Sequence, residues 1–308
     1  MQKPTLSITI RSFNPDKNTY DQLDDCFNIQ YQNRTGMRLN EKQVSLAIAN
    51  ADAVIAGTEP FTKEVLESAI RLKVISRVGI GIDNIDMKTV SERGIVVLTT
   101  GAATVQPVAE HTIALIFCVL KKITEYNESM RRREYAVKTA SLLQGKNIGI
   151  IGIGRIGFRV GEMLHGLGCK IYYFDPYNSR SISAAWNKTE SLNELFTVSD
   201  VITLHTPAQK NNEPILNAEA FSHCRKGVII INTARGSLVD EKALFDALDK
   251  GNVGGAGLDV TVKEPYDGPL LAFPQVILTP HVASNTLESR SAMEFEAIQN
   301  LIQFLGSV

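Results

Sequence analysis

Residues 146–157 read Lys-Asn-Ile-Gly-Ile-Ile-Gly-Ile-Gly-Arg-Ile-Gly, and residues 170–175 read Lys-Ile-Tyr-Tyr-Phe-Asp. Ile148 to Ile151 form an apolar strand that runs into Gly152, Gly154 and Gly157, spaced as G-x-G-x-x-G. The next stretch is apolar at Ile156, Val160, Met163, Leu164 and Leu167, which is helical spacing. A second strand, Lys170 to Phe174, ends at Asp175. The three glycines serve the tight turn, the approach of backbone to a pyrophosphate, and close packing of helix on strand. The helix N-terminus then offers free N–H groups and the positive end of its dipole to the phosphates. Strand, turn, helix, strand and acid in that order read as a dinucleotide site. A βαβ unit without ligand, or one for another adenosine compound such as a methyl donor, is the alternative. Asp175 can accept both hydroxyls of an adenosine ribose and would repel a 2′-phosphate, which favours NAD over NADP. Arg180 is the nearby residue that would act the other way.

Working outward, strand-like runs alternate with helical ones along the whole chain, as parallel sheets with crossover helices require. Strands are expected near 5–10, 27–31, 53–56, 73–76 and 95–98, with helices near 40–50, 62–70 and 85–92. A long helix from Pro107 to Arg132 leads into the dinucleotide unit, with Pro107 as its first residue. Further strands fall at 200–204, 228–232, 255–260 and 276–279, and a last helix spans 288–305. This divides the chain into a domain of 1–99 plus 285–308 and a cofactor domain of 100–284. The double crossing between them would make a hinge and a cleft.

At 308 residues the length suits about two domains. A hydrophobic share of 44% and a charged share of 21% are ordinary for a globular chain. The formal net charge of −1 gives no global pull toward nucleic acid or membrane. The arginines at 131–133 read as a solvated helix end balanced by Glu128 and Glu134. Cys26, Cys118, Cys169 and Cys224 are isolated, which suggests reduced thiols in the cytoplasm rather than a disulfide framework or zinc knot. The N-terminus alternates like a strand and lacks a signal-peptide core. The most lipid-like run, 112–120, is too short to span a bilayer.

In an open parallel sheet, ligands bind beyond the carboxyl ends of the strands. In the second domain those ends carry His205-Thr206-Pro207, Asn232-Thr233-Ala234-Arg235-Gly236, Asp259 leading to Glu264-Pro265, and Thr279-Pro280-His281. His205, Thr206, Thr233, Ala234 and Asp259 are therefore candidate cofactor contacts. Hydride transfer from an alcohol carbon needs a group to take the hydroxyl proton. No His/Cys cluster has metal-ligand spacing, so a side-chain base is expected, and histidine titrates in the right range. Of five histidines, His111 and His165 lie in helical stretches and His223 in a loop, and all three read as structural or surface residues. His281 follows Thr-Pro at a strand end, where fixed backbone can aim the ring. Glu264 could orient it and raise its pKa. Arg235 offers a planar fork for a carboxylate. In the first domain, Arg77-Val78-Gly79-Ile80-Gly81-Ile82-Asp83-Asn84 follows a strand. This run is either a nest of amides for an anion or a tight turn into a helix capped by Asp83 or Asn84.

These motifs together resemble the D-isomer-specific 2-hydroxyacid dehydrogenases. The resemblance rests on 77–84, Val-Ala-Glu-His at 108–111, Gly-x-Gly-Arg-Ile-Gly at 152–157, Asn-Thr-Ala-Arg-Gly-Ser-Leu-Val-Asp-Glu at 232–241, Gly-Leu-Asp-Val at 257–260, Glu-Pro at 264–265 and Thr-Pro-His at 279–281. It implies a Rossmann NAD-binding domain and a smaller flavodoxin-like substrate domain. Cofactor contacts would include Arg155 and Ile156 beside the glycines. Arg235 would hold the substrate's carboxylate and carbonyl, and His281 would be the acid/base with Glu264 as partner. Asp259 would sit by the nicotinamide. Arg77, Val78 and Gly79 would bind substrate, the loop acting through its amides. A homodimer built through the cofactor domain is also implied. Within the family the pattern is most similar to short phosphoglycerate dehydrogenases, with Arg77 as a substrate-side arginine. It departs from them at Ala56-Gly57-Thr58-Glu59, where many carry an arginine, and at 100–106, which lacks Pro-Gly-x-Asn. The 308 residues leave no room for a serine-sensing domain after the last helix. A glyoxylate or hydroxypyruvate reductase, and an NADH-sensing corepressor-like protein, are the alternative readings.

Overall fold

The computed structural model describes residues 3–177, 182–208 and 213–306. Arg180 lies outside them. By contacts the chain separates into two compact units, Met1–Thr104 with Asn285–Val308, and Val105–Ser284. The first unit extends through Thr104 rather than stopping at 99. Thr100 N–H is bonded to the carbonyls of Arg77 and Gly79, and Thr104 Oγ1 to that of Gly101, so this segment is tied into the first unit.

The first unit alternates β1 (Thr5–Ile8), α1 (Lys17–Cys26), β2 (Asn28–Gln32), α2 (Glu41–Ile48), β3 (Ala53–Ala56), α3 (Lys63–Ser68), β4 (Val74–Arg77), α4 (Met87–Glu92) and β5 (Val96–Thr99). Among the described residues its sheet is five-stranded, in the order β2-β1-β3-β4-β5, and every pairing is parallel. That is the flavodoxin-like order. Buried apolar clusters lie on both faces, as a parallel sheet wrapped by crossover helices requires. Helix α1 has no counterpart in the sequence reading, because among its ten residues the only buried ones are Thr19 and Leu23. Its start is set by Asp16, whose side chain accepts from Thr19 N–H. Helix α4 is capped by Asp86, not by Asp83 or Asn84. The Asn84 amide is spent instead on the carbonyls of Gly57 and Glu59.

The second unit begins with α5 (Val105–Lys121) and α6 (Ile123–Arg131), in place of one helix over 107–132. The break falls at Lys122, whose φ of 54° is left-handed and cannot continue an α-helix. Pro107 is the third residue of α5 rather than the first, still within the turn whose N–H groups have no helical partner. There follow β6 (Asn147–Ile151), α7 (Arg155–Gly166), β7 (Lys170–Phe174), β8 (Asn187–Lys188), α8 (Leu192–Val198), β9 (Val201–Leu204), α9 (Ala218–His223), β10 (Val228–Asn232), α10 (Glu241–Asp249), β11 (Val253–Leu258) and β12 (Val276–Leu278). The sheet order is β12-β11-β10-β9-β6-β7-β8, again all parallel. Read from its far edge this is the doubly wound order 3-2-1-4-5-6 with one strand added. The closing helix α11 (Leu287–Gly306) belongs to the first unit. It buries Met293, Ala297, Ile298 and Leu301 there, and the Ala297 carbonyl accepts from Ser76 Oγ.

Register decides what the second sheet presents at its carboxyl edge. Ile151 pairs with Phe174 and with Leu204, Leu204 with Asn232, Asn232 with Leu258, and Leu258 with Leu278. The residues that follow are Asp175, Gly152, His205, Thr233, Asp259 and Thr279. They leave the sheet in one row, and chain order reverses between β6 and β9, where such sheets bind ligands. Among the described residues no helix is long and apolar enough to cross a membrane.

Candidate active site

The glycine turn is built from steric necessity. Gly152 has φ +88°, and a side chain there would stand 2.6 Å from the His205 carbonyl oxygen. A Cβ on Gly157 would stand 2.0 Å from the Gly152 carbonyl oxygen, so α7 lies against the turn only because that atom is missing. Gly154 is the N-cap of α7, makes no side-chain cap, and faces open space. Arg155, exposed, and Ile156, half-buried, open the helix. Asp175 accepts from Ile153 N–H through one oxygen and from Tyr177 N–H through the other, both at 2.9 Å. Its carboxylate is thereby fixed at the tip of β7 beside the turn, with lone pairs remaining for a diol. These residues fit a dinucleotide: uncapped helix N–H groups for the phosphates and a fixed acid for the ribose.

His205 N–H continues the ladder to the Ile151 carbonyl, and its Nε2 lies 2.9 Å from Thr203 Oγ1. Burial pushes its imidazole down to about 3, so the ring at this edge is neutral. Thr206 N lies 2.9 Å from where a Cβ on Gly152 would stand, which places it against the same turn. Thr233 Oγ1 is 2.9 Å from Thr112 Oγ1 of α5. Asn232, which the sequence reading passed over, turns its side chain to accept from Ala234 N–H and to donate to the Arg235 carbonyl. It thus shapes the loop that carries Arg235, a half-buried residue whose guanidinium reaches the Ala234 carbonyl at 2.7 Å.

The Glu264 carboxylate lies 3.2 Å from His281 Nδ1, and both side chains stay partly open to solvent, at 40% and 46%. With Nδ1–H turned to the carboxylate, Nε2 carries the lone pair that can take a proton. His281 adopts φ 53°, rare for a residue with a side chain. Its N–H is held by the carbonyls of Asp259 and Thr279, at 2.8 and 3.0 Å. Asp259 is 1% exposed and collects donors from Thr279 Oγ1 at 2.5 Å and from the Val282 and Ala283 N–H groups at 2.9 Å each. His111 Nε2 lies 3.4 Å from the same carboxylate. Burial pushes the Asp259 pKa up, but the hydrogen bonds from His111, Thr279 and the two amides outweigh it and hold the carboxyl below its usual value. His111, expected to be a structural or surface residue, is therefore attached to this cluster.

In the first unit, Arg77 is 8% exposed and its guanidinium bonds the Val78 carbonyl. The expected amide nest at 77–81 is corrected in part. Val78 N–H is taken by the Ala56 carbonyl and Gly79 N–H by Thr100 Oγ1 at 2.7 Å, so neither points outward here. Among the described residues no group of three or more His, Cys, Asp or Glu is placed to hold a metal ion.

The family model for the NAD-binding domain of D-isomer-specific 2-hydroxyacid dehydrogenases matches residues 113–283, more than half the chain. The chain belongs to this family. Its second unit is the family's NAD-binding domain. It is 37% identical over 263 residues to D-3-phosphoglycerate dehydrogenase of Methanocaldococcus jannaschii, a match covering 84% of this chain and 50% of that protein. It is 32% identical over 275 residues to glyoxylate reductase of Korarchaeum cryptofilum, covering 86% and 83%. The chain thus spans about half the length of the phosphoglycerate dehydrogenases it matches. A solved structure of D-lactate dehydrogenase from Aquifex aeolicus, with NAD and lactic acid, superposes with a TM-score of 0.85 at 27% identity, covering 98% of this chain and 96% of that one.

Gly157→Ala is expected to force the Gly152 carbonyl out of the turn. The cost should be on the order of 1–3 kcal/mol of stability, with weaker NADH binding in a fluorescence titration. Unchanged melting and affinity would show that the turn does not depend on this contact.

Proposed function

We propose that the chain oxidises a D-2-hydroxy acid to its 2-oxo acid, reversibly and with NAD. The observation that carries this is the His281–Glu264 pair at the end of the strand row, with Glu264 one strand and His281 two strands from the strand that leads to Arg235. Bound NAD supplies the carbon that accepts or returns a hydride. His281 Nε2 takes the hydroxyl proton as the alcohol becomes a carbonyl, and Glu264 stabilises the resulting imidazolium. In reduction the same nitrogen returns the proton. Arg235 holds the substrate carboxylate in a bidentate fork and polarises the neighbouring carbonyl. Asp259 stands by the nicotinamide. We assign Arg77 and Gly79 a share in holding the substrate anion, with Gly79 N–H leaving Thr100 Oγ1 to do so, while Val78, its N–H held by the Ala56 carbonyl, positions the loop. The carboxylate of Asp175 favours NAD over its 2′-phosphorylated form.

Among 2-hydroxy acids, D-3-phosphoglycerate is the preferred assignment, supported by several phosphoglycerate dehydrogenases at 34–37% identity. Reduction of glyoxylate or hydroxypyruvate is the second reading, supported by the match along most of a glyoxylate reductase. We also propose a homodimer through the second unit. Its segment after α6 exposes Tyr135 at 87% and Val137 at 80%, apolar surface that a second copy would cover. The four unpaired cysteines fit a reducing, cytoplasmic setting.

The test is NADH oxidation with 3-phosphohydroxypyruvate, hydroxypyruvate, glyoxylate and pyruvate, repeated with NADPH. The highest kcat/KM is expected for NADH with 3-phosphohydroxypyruvate, and His281→Ala should lower kcat by roughly 10²–10⁴. Undiminished turnover in that variant would remove the proposed base. NADH binding without turnover of any substrate would instead point to a sensor. Sedimentation as a monomer would end the dimer assignment.

A further inference from the structure

His111 enters no step of the reaction just described, yet it is wired to the residue that does. Its Nε2 lies 3.0 Å from Thr279 Oγ1, whose hydroxyl in turn lies 2.5 Å from Asp259 Oδ1. A threonine hydroxyl has one proton, and at that distance from a carboxylate it is given to Asp259. Thr279 Oγ1 must then accept from His111, so Nε2 carries the hydrogen and the chain runs His111 to Thr279 to Asp259. The same Asp259 carboxylate accepts from Val282 and Ala283, the two residues after His281 in this turn.

The turn needs such holding. His281 sits at φ 53°, a conformation costing an L-residue roughly 1–2 kcal/mol, and without restraint it would relax and swing the ring. Its neighbour in α5 makes the parallel contact two strands along, because Thr112 Oγ1 meets Thr233 Oγ1 beside Arg235. Consecutive residues of one helix thus brace the loops of the acid/base and of the guanidinium. The brace reaches because β11 is rich in glycine: a Cβ on Gly257 would stand 2.9 Å from Leu115 Cβ of α5.

We propose that His111 is a positioning residue for His281, acting through Thr279 and Asp259. This rests on the reading of His281 as acid/base. The variants are Thr279→Val, which deletes the hydroxyl at constant shape, Thr279→Ser, which keeps it, and His111→Phe. Because a misplacement of about 1 Å can cost about 10²-fold, Thr279→Val and His111→Phe should each lower kcat by about 10–100-fold. KM, NADH affinity and melting temperature should stay near wild type, and Thr279→Ser should recover most of kcat. The effects of the two variants should be less than additive, because His111 and Thr279 share the Asp259 carboxylate as well as their mutual contact. In the coenzyme-free protein, amide exchange at Val282 and Ala283 should quicken about tenfold in both impaired variants.

The proposal is overturned if kcat is unchanged in an enzyme that His281→Ala inactivates, if Thr279→Ser is as impaired as Thr279→Val, or if KM or melting falls into line with kcat. Should the wild type turn over no substrate, the reading of His281 fails separately. The exchange measurement then decides alone, with unchanged protection at Val282 and Ala283 ending the proposal.

Discussion

One buried carboxylate ties the chemistry of this molecule to its scaffold. Asp259 leaves β11 at the level where β10 and β12 also end, and it satisfies its charge with a hydroxyl, two turn amides and an imidazole. An ionised acid removed from water needs donors in place of its hydration, and these hold the Asp259 carboxyl below its usual pKa despite burial. The hydrogen bonds that offset the cost of burying it also order residues 279–283. The imidazole proposed as acid/base is held in a backbone conformation that the chain would not choose alone. The ring needs that aim more than it needs burial, since its own side chain remains nearly half exposed.

Register supplies the rest of the arrangement. Because all the pairings are parallel, every strand of the second sheet delivers its next residue to the same edge. The fixed acid of the ribose site, the glycine turn, the neutral His205 and the acid/base turn are thus ordered along one line by hydrogen-bond ladders alone. The first unit repeats the device on a smaller sheet, where Arg77 and Thr100 close a loop after β4 and β5. The proposed catalytic residues nonetheless belong to the second unit, which brings Arg235, Glu264 and His281 from three successive strand ends.

Much of this was legible in the sequence, for identifiable reasons. The glycines at 152 and 157 each keep a Cβ out of a contact that geometry forbids, and Gly154 leaves the start of α7 open, so their spacing is largely a steric record of the turn. His281 stood out because a Thr-Pro step at a strand end leaves the ring no helical setting. Other features left no such trace. Helix α1 turns a nearly all-polar sequence to solvent, which erases the periodicity that marks a helix. The break at Lys122 rests on a left-handed lysine, where no glycine or proline announces it. His111 looked like an ordinary helix residue because its partner lies 168 residues away in sequence. The amides of Val78 and Gly79 showed the opposite failure: the glycine motif was visible, but the Thr100 hydroxyl that occupies one of them was not.

The central claim is that one imidazole and one guanidinium, after strands separated by β11 alone, act together on a 2-oxo acid. The most direct measurement is a crystal structure of the protein with NAD and an unreactive 2-oxo acid analogue. The expected result places His281 Nε2 within about 3 Å of the analogue's carbonyl oxygen, Arg235 on its carboxylate, and the Asp259 contacts intact. An analogue bound with its carbonyl beyond reach of His281, while that turn keeps its present form, would contradict it.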